Sequence, residues 1–126
     1  MVPQMEQTDG NTTIQDLKTS VHDFVKNRDW EKYHTARNLA ESISIEASEL
    51  LELFQWSLDE EDKSKVTQDP AELGRVADEL ADVLIYCLGL ANVTGIDIAQ
   101  AILHKLKKNE EKYPIGKYKG TYSKPA

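Results

Sequence analysis

Apolar residues recur three or four positions apart in four stretches of the chain, which is the spacing of one face of an α-helix. No stretch alternates apolar and polar residues over a useful length, so no strand is predicted. The predicted helices run from Ile14 to the NRDW segment, from about Thr35 to Trp56, from Pro70 to about Val93, and from Ile98 to Tyr113. The pattern therefore predicts an all-α protein.

Residues that cap, start or stop helices stand at the borders of these stretches. The helix-starting residues are Thr13 with Asp16, Asp69 with Pro70, and Asp97, and the helix-ending residues are Gly95 and Pro114. Between the second and third helices lies a charged loop, residues 57–69. The sequence therefore predicts a flexible N-terminus over residues 1–12, one helical domain over 13–114 and a flexible tail over 115–126.

Composition narrows the class of protein. The chain has 126 residues, enough for one domain, and its formal net charge of −7 argues against a nucleic-acid or membrane-surface partner. The single cysteine, Cys87, excludes an internal disulfide, which favours a reducing cytosol and predicts a cytoplasmic protein. No secretory signal is visible, and the longest nearly apolar run, residues 83–93, is too short to cross a bilayer.

The segment SIEASELLELFQW, residues 44–56, places glutamates on the apolar face of its helix. At about 100° per residue, the side chains within roughly 60° of Glu46 are those of Leu39, Ile43, Leu50 and Leu53. Glu49 lies at the edge of that arc, whereas Glu41 and Glu52 fall on the opposite, solvent side. This helix therefore has two kinds of glutamate, of which Glu46 and Glu49 are the unexpected pair.

The segment RVADELADVLIYCLGLA repeats the arrangement. The arc around Glu79 holds Val76, Val83, Tyr86 and Leu90, with Asp82 at its edge. Further apolar residues cover most other sides, which predicts a third helix that is buried nearly all round. Two helices therefore each bring a pair of acids, about one turn apart, into apolar surroundings.

Four desolvated carboxylates repel one another and are costly to bury unless they are protonated or neutralised. A divalent cation would neutralise them, and a set of oxygen ligands without His or Cys favours Mg²⁺ or Mn²⁺ over Zn²⁺. Two alternatives stay open. The glutamates can reach out to solvent from the rim of the apolar face, or the acids can pair with lysines of the last helix.

The last helix carries cationic and amide groups on a partly apolar face. The residues of that face are Ile98, Ile102, Lys105, Asn109 and Lys112. Snorkelling explains the lysines simply, but the same groups could contact the oxygens of a polyphosphate that carries Mg²⁺. Trp30 and Trp56 stand at helix ends, where they serve either as core plugs or as walls of a pocket for a base.

The order of four motifs resembles that of the all-α nucleoside triphosphate pyrophosphatases. The motifs are RDWEKYHTARNL, EASELLELFQW, DELADVLIY and KLKKNEEKYP. Within the MazG-like group the sequence is most similar to the dCTP pyrophosphatase branch, over about Ile14 to Pro114. The resemblance implies subunits of the four-helix-bundle type in an obligate oligomer, a homotetramer built as a dimer of dimers with sites between subunits. A third helix that is apolar on many sides agrees with such an assembly.

The resemblance also implies a role for each matching residue. Glu46, Glu49, Glu79 and Asp82 match magnesium ligands, with Mn²⁺ as an alternative ion. The positions that match the base and sugar pocket are Trp30, Tyr33, His34, Trp56 and Tyr86. The positions that match groups reaching the phosphates or the sugar are Lys105, Asn109 and Lys112.

The implied reaction is the hydrolysis of a nucleoside triphosphate to a monophosphate and pyrophosphate. The implied substrate is dCTP or a modified dCTP-like nucleotide, and the implied role is sanitation of the nucleotide pool. Mg²⁺ would bridge phosphate oxygens, and Glu46 or Glu49 would position or deprotonate the attacking water. Two alternatives stay open: a related pyrophosphatase for dUTP or another triphosphate, and a non-enzymatic helical interaction module whose acids form salt bridges.

Overall fold

The computed structural model describes residues 5–56 and 68–121, and all regular secondary structure in these ranges is helical. The elements are α1 (Ile14–Asn27), a 3₁₀ turn (Glu31–Tyr33), α2 (Ala36–Glu52), α3 (Pro70–Thr94), α4 (Ile98–Lys112) and α5 (Ile115–Tyr118). The prediction of an all-α protein is confirmed. Most of the charged loop predicted over residues 57–69 lies outside the described residues.

The helices start at the predicted capping residues. Thr13 Oγ1 accepts a hydrogen bond from the N–H of Asp16 at 3.0 Å, and the Asp16 carboxylate accepts one from the N–H of Thr13 at 2.9 Å, which completes a capping box. Pro70 occupies the first turn of α3 behind the cap Asp69. The Asp97 side chain caps α4 by accepting a hydrogen bond from the N–H of Gln100 at 2.9 Å. These local bonds satisfy backbone donors that a helix leaves unpaired at its start.

Helix α1 ends in a Schellman motif. The N–H of Asp29 donates to the carbonyl of Lys26 at 3.0 Å, and the N–H of Trp30 donates to the carbonyl of Val25 at 3.1 Å. Asp29 has a φ of 55°, in the left-handed region where glycine is usual. The Trp30 ring meets the Phe24 ring edge-on, with 5.9 Å between centroids, and this is the apolar contact that accompanies the motif.

Two segments differ from the prediction. The predicted end of α2 at Trp56 is wrong, because the helix ends at Glu52 and Trp56 has a φ of 71°, which no residue inside a right-handed helix adopts. The segment predicted as a tail begins with the short helix α5. Its Tyr118 ring meets Tyr113 edge-on across Pro114, with 5.2 Å between centroids, a contact too local for periodicity to reveal.

The chain divides into two compact units, Met1–Gly95 and Ile96–Ala126. The domain bounds predicted from the sequence, residues 13–114, stay a prediction. The border follows Gly95, whose φ of 74° ends α3. In the first unit α3 packs against both α2 and α1. Its small core centres on Leu39, which is 2% exposed and faces Gly89 across the α2–α3 contact.

Within the single chain, helix α3 is not buried nearly all round, and its burial in the implied oligomer stays a prediction. Leu80, Leu84 and Ile85 are 47%, 53% and 45% exposed. The reason is that α1 and α2 cover only part of the circumference of this 25-residue helix. Among the described helices, none taken singly has the length and apolarity of a membrane span, and only α3 and α4 counted together do.

The two left-handed positions give opposite predictions for stability. Replacing Asp29 (φ 55°) by Gly should raise the free energy of unfolding by up to about 1 kcal/mol, because relief of left-handed strain exceeds the entropy that glycine adds to the unfolded chain. Replacing Gly95 (φ 74°) by Ala should lower it by about 1 kcal/mol. Urea denaturation of both variants measures the two changes, and a destabilised Asp29→Gly would contradict the proposed strain.

Candidate functional site

Three carboxylates converge where α2 packs on α3. One oxygen atom from each of Glu46, Glu79 and Asp82 lies within 4.8 Å of the other two. Glu46 comes from α2, whereas Glu79 and Asp82 lie about one turn apart on α3. All three residues are half-buried. Packing of two helices therefore places side chains from distant parts of the sequence at one point.

Glu49 is the exposed member of the same group. Its carboxyl group lies close enough to those of Glu46 and Glu79 to raise the pKa of both. The sequence placed Glu49 at the edge of the apolar arc, and its exposure agrees with that position. The four residues Glu46, Glu49, Glu79 and Asp82 are called the acid cluster below.

The acid cluster is electrostatically strained. The pKa of Glu46 is raised above its ordinary 4.5, first because burial disfavours the charged form and then because Glu49, Asp82 and Glu79 lie close by. The pKa of Glu79 is raised as well, again chiefly by burial and then by Glu49, Asp82 and Asp78. Without a counter-ion, the folded chain therefore disfavours full ionisation of these two carboxyl groups.

Two oxygen atoms of the cluster lack partners. Glu46 Oε2 and Glu79 Oε2 are buried and accept no hydrogen bond from the described residues. The salt bridges within residues 5–56 and 68–121 lie along single helices, Arg37–Glu41 at 3.1 Å and Arg75–Glu72 at 2.7 Å, and do not include the acid cluster. Glu41, which forms one of these salt bridges, is exposed, as predicted.

The donor set of the acid cluster fits a divalent cation. Its ligands are all carboxylate oxygens, and three of them are close enough to share one ion. Hard cations such as Mg²⁺, Mn²⁺ and Ca²⁺ prefer such ligands. An ion there would also supply the missing partner of the two buried oxygens, Glu46 Oε2 and Glu79 Oε2.

A cavity of about 300 Å³ lies in the same unit. Its apolar lining consists of Val21, Val25, Gly89 and Val93. Its polar lining consists of His22, Glu31, His34 and Asn92. An apolar wall with a few polar groups is typical of a small-molecule site, and this volume is at the lower end of the usual range.

Of the predicted base-pocket residues, only His34 lines this cavity. Trp30, which is 43% exposed, stands in the chain beside the lining residue Glu31. Tyr86 is half-buried on α3, between the acid cluster and the cavity-lining Gly89 in the sequence. Tyr33 is exposed and Trp56 is 93% exposed, and neither of them lines the cavity.

The predicted residues of the last helix belong to the second unit. Lys105 lines a shallow groove of about 270 Å³ on α4, together with Ala101, Ile102 and Leu106. Asn109 is half-buried, and its backbone carbonyl accepts the N–H of Tyr113 at 2.8 Å. Lys112 Nζ lies 5.6 Å from the centroid of the Tyr113 ring. Contact of these three residues with phosphate or sugar stays a prediction.

His22 and Asn92 are two of the cavity residues that the sequence-based prediction did not include. The Asn92 side chain donates to the backbone carbonyl of Lys18 at 2.9 Å, which ties α3 to α1. Asn92 offered a signal, since it is an amide within the apolar run LGLANV, whereas His22 offered none.

Comparison with known proteins agrees with this architecture. The MazG-like family matches residues 41–124 of the chain. The chain is 38% identical to bovine (Bos taurus) dCTP pyrophosphatase 1 over 112 residues, which are 89% of this chain and 66% of the bovine protein. It is 38% identical to the human (Homo sapiens) dCTP pyrophosphatase 1 over 102 residues, which are 81% of this chain and 59% of the human protein. The crystal structure of a pyrophosphatase from Archaeoglobus fulgidus is similar, with a TM-score of 0.73 and 40% identity, over 89% of this chain and 99% of that chain.

The fold and the site together define an all-α protein in which two helices hold a carboxylate centre suited to a divalent cation. The chain belongs to the MazG-like family, whose match covers two thirds of its residues. The chain spans 66% of the length of the bovine relative and 59% of the human one.

The raised pKa values predict how the metal-free protein responds to pH. In the folded state Glu46 and Glu79 hold their protons above the ordinary pKa of 4.5, so the folded chain binds more protons than the unfolded one in that window. The free energy of unfolding should therefore fall as the pH rises from about 4.5 through the raised pKa values. Thermal unfolding in a chelator, across this pH range, measures the slope.

Glu79→Gln should make that slope shallower, since it removes one of the two titrating groups. Glu52→Gln, an exposed glutamate on α2, is the matched control and should leave the slope unchanged. Equal slopes in the parent and Glu79→Gln would contradict the desolvated cluster.

Proposed function

We propose that this chain is a divalent-cation-dependent nucleoside triphosphate pyrophosphohydrolase. The reaction is NTP + H₂O → NMP + PPᵢ, with dCTP or a modified dCTP-like nucleotide as substrate and sanitation of the nucleotide pool as the role. One observation carries the proposal: carboxylate oxygens of Glu46, Glu79 and Asp82 converge within 4.8 Å, with Glu49 beside them. Such a centre recruits the cation that a triphosphate needs to approach acidic side chains.

The relatives support the reaction class. The bovine and human relatives are named dCTP pyrophosphatase 1, and the archaeal structure is that of a pyrophosphatase. The archaeal protein is matched over 99% of its length, so the similarity does not depend on the part of the mammalian proteins that this chain does not span. The choice of dCTP rests on the names of the mammalian relatives.

The first unit offers a place for each part of a nucleotide. Along α3, Asp82 of the acid cluster and Gly89 of the cavity are separated by about 10 Å of helix, at 1.5 Å per residue. This spacing suits the phosphates at the acid cluster and the base in the cavity. Tyr86 lies between them in the sequence, where the sugar would pass. A cavity of about 300 Å³ is large enough for a base and too small for a whole triphosphate.

Within the proposed site the acids have separate tasks. Glu46, Glu79 and Asp82 would hold the cation, because their oxygens converge. A bound Mg²⁺, or Mn²⁺ in its place, would neutralise phosphate charge while the α–β bond breaks. Either Glu46 or Glu49 would take a proton from the water that attacks the α-phosphorus. Exposure favours Glu49, which can exchange that proton with solvent.

The second unit and a second subunit complete the proposal. Lys105 and Lys112 are exposed on α4, which also carries Asn109, and the role proposed for these three residues is contact with the phosphates or the sugar. Apolar side chains are exposed on both units, Leu80 and Leu84 on α3 among them. The proposed assembly is a homotetramer, a dimer of dimers. Burial of these side chains between subunits would remove this apolar surface from water.

The role of Glu49 can be tested directly. Glu49→Gln should lower kcat for pyrophosphate release from dCTP in Mg²⁺ by about 10²-fold or more, the range of a lost general base, and leave a folded chain. Pyrophosphate release in a coupled assay measures kcat, and circular dichroism measures the fold. Glu52→Gln, which changes the same chemical group on the outer side of α2, is the control and should keep the parent kcat.

Two results would count against the proposed function. If Glu49→Gln and Glu52→Gln both kept kcat within a few-fold of the parent, Glu49 would have no catalytic role. If titration calorimetry with Mg²⁺ and a nonhydrolysable triphosphate showed no metal-dependent heat, the chain would be an interaction module and not an enzyme.

The substrate should be identified from product formation across nucleotides. We expect monophosphate and pyrophosphate from dCTP and from 5-modified dCTP at higher kcat/KM than from dUTP, dATP, dGTP or dTTP. Preference for dUTP would place the chain among the related dUTP pyrophosphatases. Release of orthophosphate in place of pyrophosphate would contradict cleavage at the α–β bond.

A further inference from the structure

We propose that Phe24 and Arg28 are positioning residues that hold the Trp30 indole at the border of the cavity. The inference rests on the proposed function, in which the cavity receives the base. The guanidinium of Arg28, the ring of Phe24 and the indole of Trp30 form one continuous arrangement, called the Trp30 stack below. Neither Phe24 nor Arg28 is among the predicted site residues.

The Trp30 stack is built from three short contacts. The Arg28 guanidinium carbon lies 3.7 Å from the centroid of the Phe24 ring, a cation–π distance. Arg28 Nη1 also donates to the backbone carbonyl of Phe24 at 3.0 Å, so the guanidinium is fixed at two points. The Trp30 indole then meets Phe24 edge-on, at 5.9 Å and an interplanar angle of 71°.

The backbone at the end of α1 also fixes the position of Trp30. The Schellman motif at the end of α1 fixes the N–H of Trp30 on the carbonyl of Val25 at 3.1 Å. Asp29 adopts its left-handed conformation, at φ 55°, directly before the indole. Strain of this kind persists only where the surrounding contacts hold it. Trp30 therefore has both its backbone and its ring direction determined.

The stack lies at the surface and not in the core. Phe24 is 50% exposed and Trp30 is 43% exposed, whereas the core residue Leu39 is 2% exposed. Rings that are half in water contribute less apolar burial than a core plug does. Three ordered side chains at an exposed position therefore suit presentation of an indole better than they suit stabilisation of the fold.

The position of the stack links it to the cavity. Val25 follows Phe24 in the chain and Glu31 follows Trp30, and both of these neighbours line the cavity. In the proposal, the indole stands beside these lining residues, where a base that enters the cavity would meet it. Aromatic faces stack on nucleobases without regard to hydrogen-bonding pattern, at a gain that depends on the ring being held in place.

The first test is spectroscopic and needs no enzymatic activity. The chain has two tryptophans, so Trp56→Phe leaves Trp30 as the single one. In that background Phe24→Leu should weaken the near-UV circular dichroism of Trp30 and increase its quenching by acrylamide. Arg28→Ala should do so to a smaller extent, and Phe24→Tyr should keep the parent signals because it retains the ring. Unchanged signals in Phe24→Leu would overturn the proposal whatever the chain catalyses.

The second test uses dCTP and Mg²⁺ with the native tryptophans present. Phe24→Leu should raise KM about three- to tenfold, the range that an edge-on aromatic contact is worth, and leave kcat within about twofold. Phe24→Tyr should restore the parent KM. Leu17→Ala is the control, since Leu17 is a half-exposed apolar residue of α1 outside the stack.

The outcomes separate the positioning role from the proposed function. An equal rise of KM in Leu17→Ala and Phe24→Leu would show that Phe24 only stabilises α1, which overturns the positioning role. A fall of kcat without a rise of KM in Phe24→Leu would overturn it as well. If the parent chain released no pyrophosphate from any nucleoside triphosphate, the proposed function would be wrong, and the spectroscopic test alone would still judge whether Phe24 holds the indole.

Discussion

Repulsion among the four carboxylates where α2 meets α3 is the constraint on which the rest of the structure depends. Glu46 and Glu79 each lose hydration, keep one buried oxygen without a partner, and face two or more further acids. Such an arrangement opposes folding unless something neutralises it. The packing of Leu39 against Gly89 is one contact that holds the two helices together against this repulsion. A bound cation would supply positive charge to neutralise the carboxylates. Binding of a cation, as proposed above, would relieve this repulsion.

Helix α3 is the common frame of the candidate site. Its first half carries Glu79 and Asp82, and its second half carries the cavity residues Gly89 and Asn92. A helix is stiff over this distance, so the spacing between a cation and a base would be set by the helical rise and not by a loop. The 3₁₀ turn and its cap add Glu31 and His34 to the cavity lining, and α1 adds Val21, His22 and Val25.

The small core and the exposed apolar faces have one explanation in common. Only Val25, Leu39 and Ala91 are buried apolar residues among those described, while many larger ones on α3 and α4 remain in water. Two or three helices cannot surround a long apolar helix such as α3. The remaining apolar surface is what a second copy of the chain would cover in the proposed assembly.

Much of the fold follows from short-range features of the sequence. Two helix starts depend on residues within one helical turn: the capping box at Thr13 and the proline in the first turn of α3. The end of α3 at Gly95 is equally local, so all three could be predicted from the sequence. The predicted end of α2, Trp56, lies four residues beyond the observed end at Glu52. The reason is that the segment FQW continues the apolar pattern of the helix although the backbone there is no longer α-helical. The same periodicity selected the members of the acid cluster, since it showed which acids share a face with apolar residues.

The sequence by itself determined the all-α class, the starts of the four predicted helices and the acids that lie on apolar faces, because these depend on interactions between near neighbours in the chain. Only the tertiary structure decided that Glu46 meets Glu79 and Asp82, that Glu49 stays exposed, and that His22 and Asn92 line a cavity. It also decided that α3 remains partly uncovered. These features depend on how separate helices pack against one another, and the periodicity of a single helix does not contain that information.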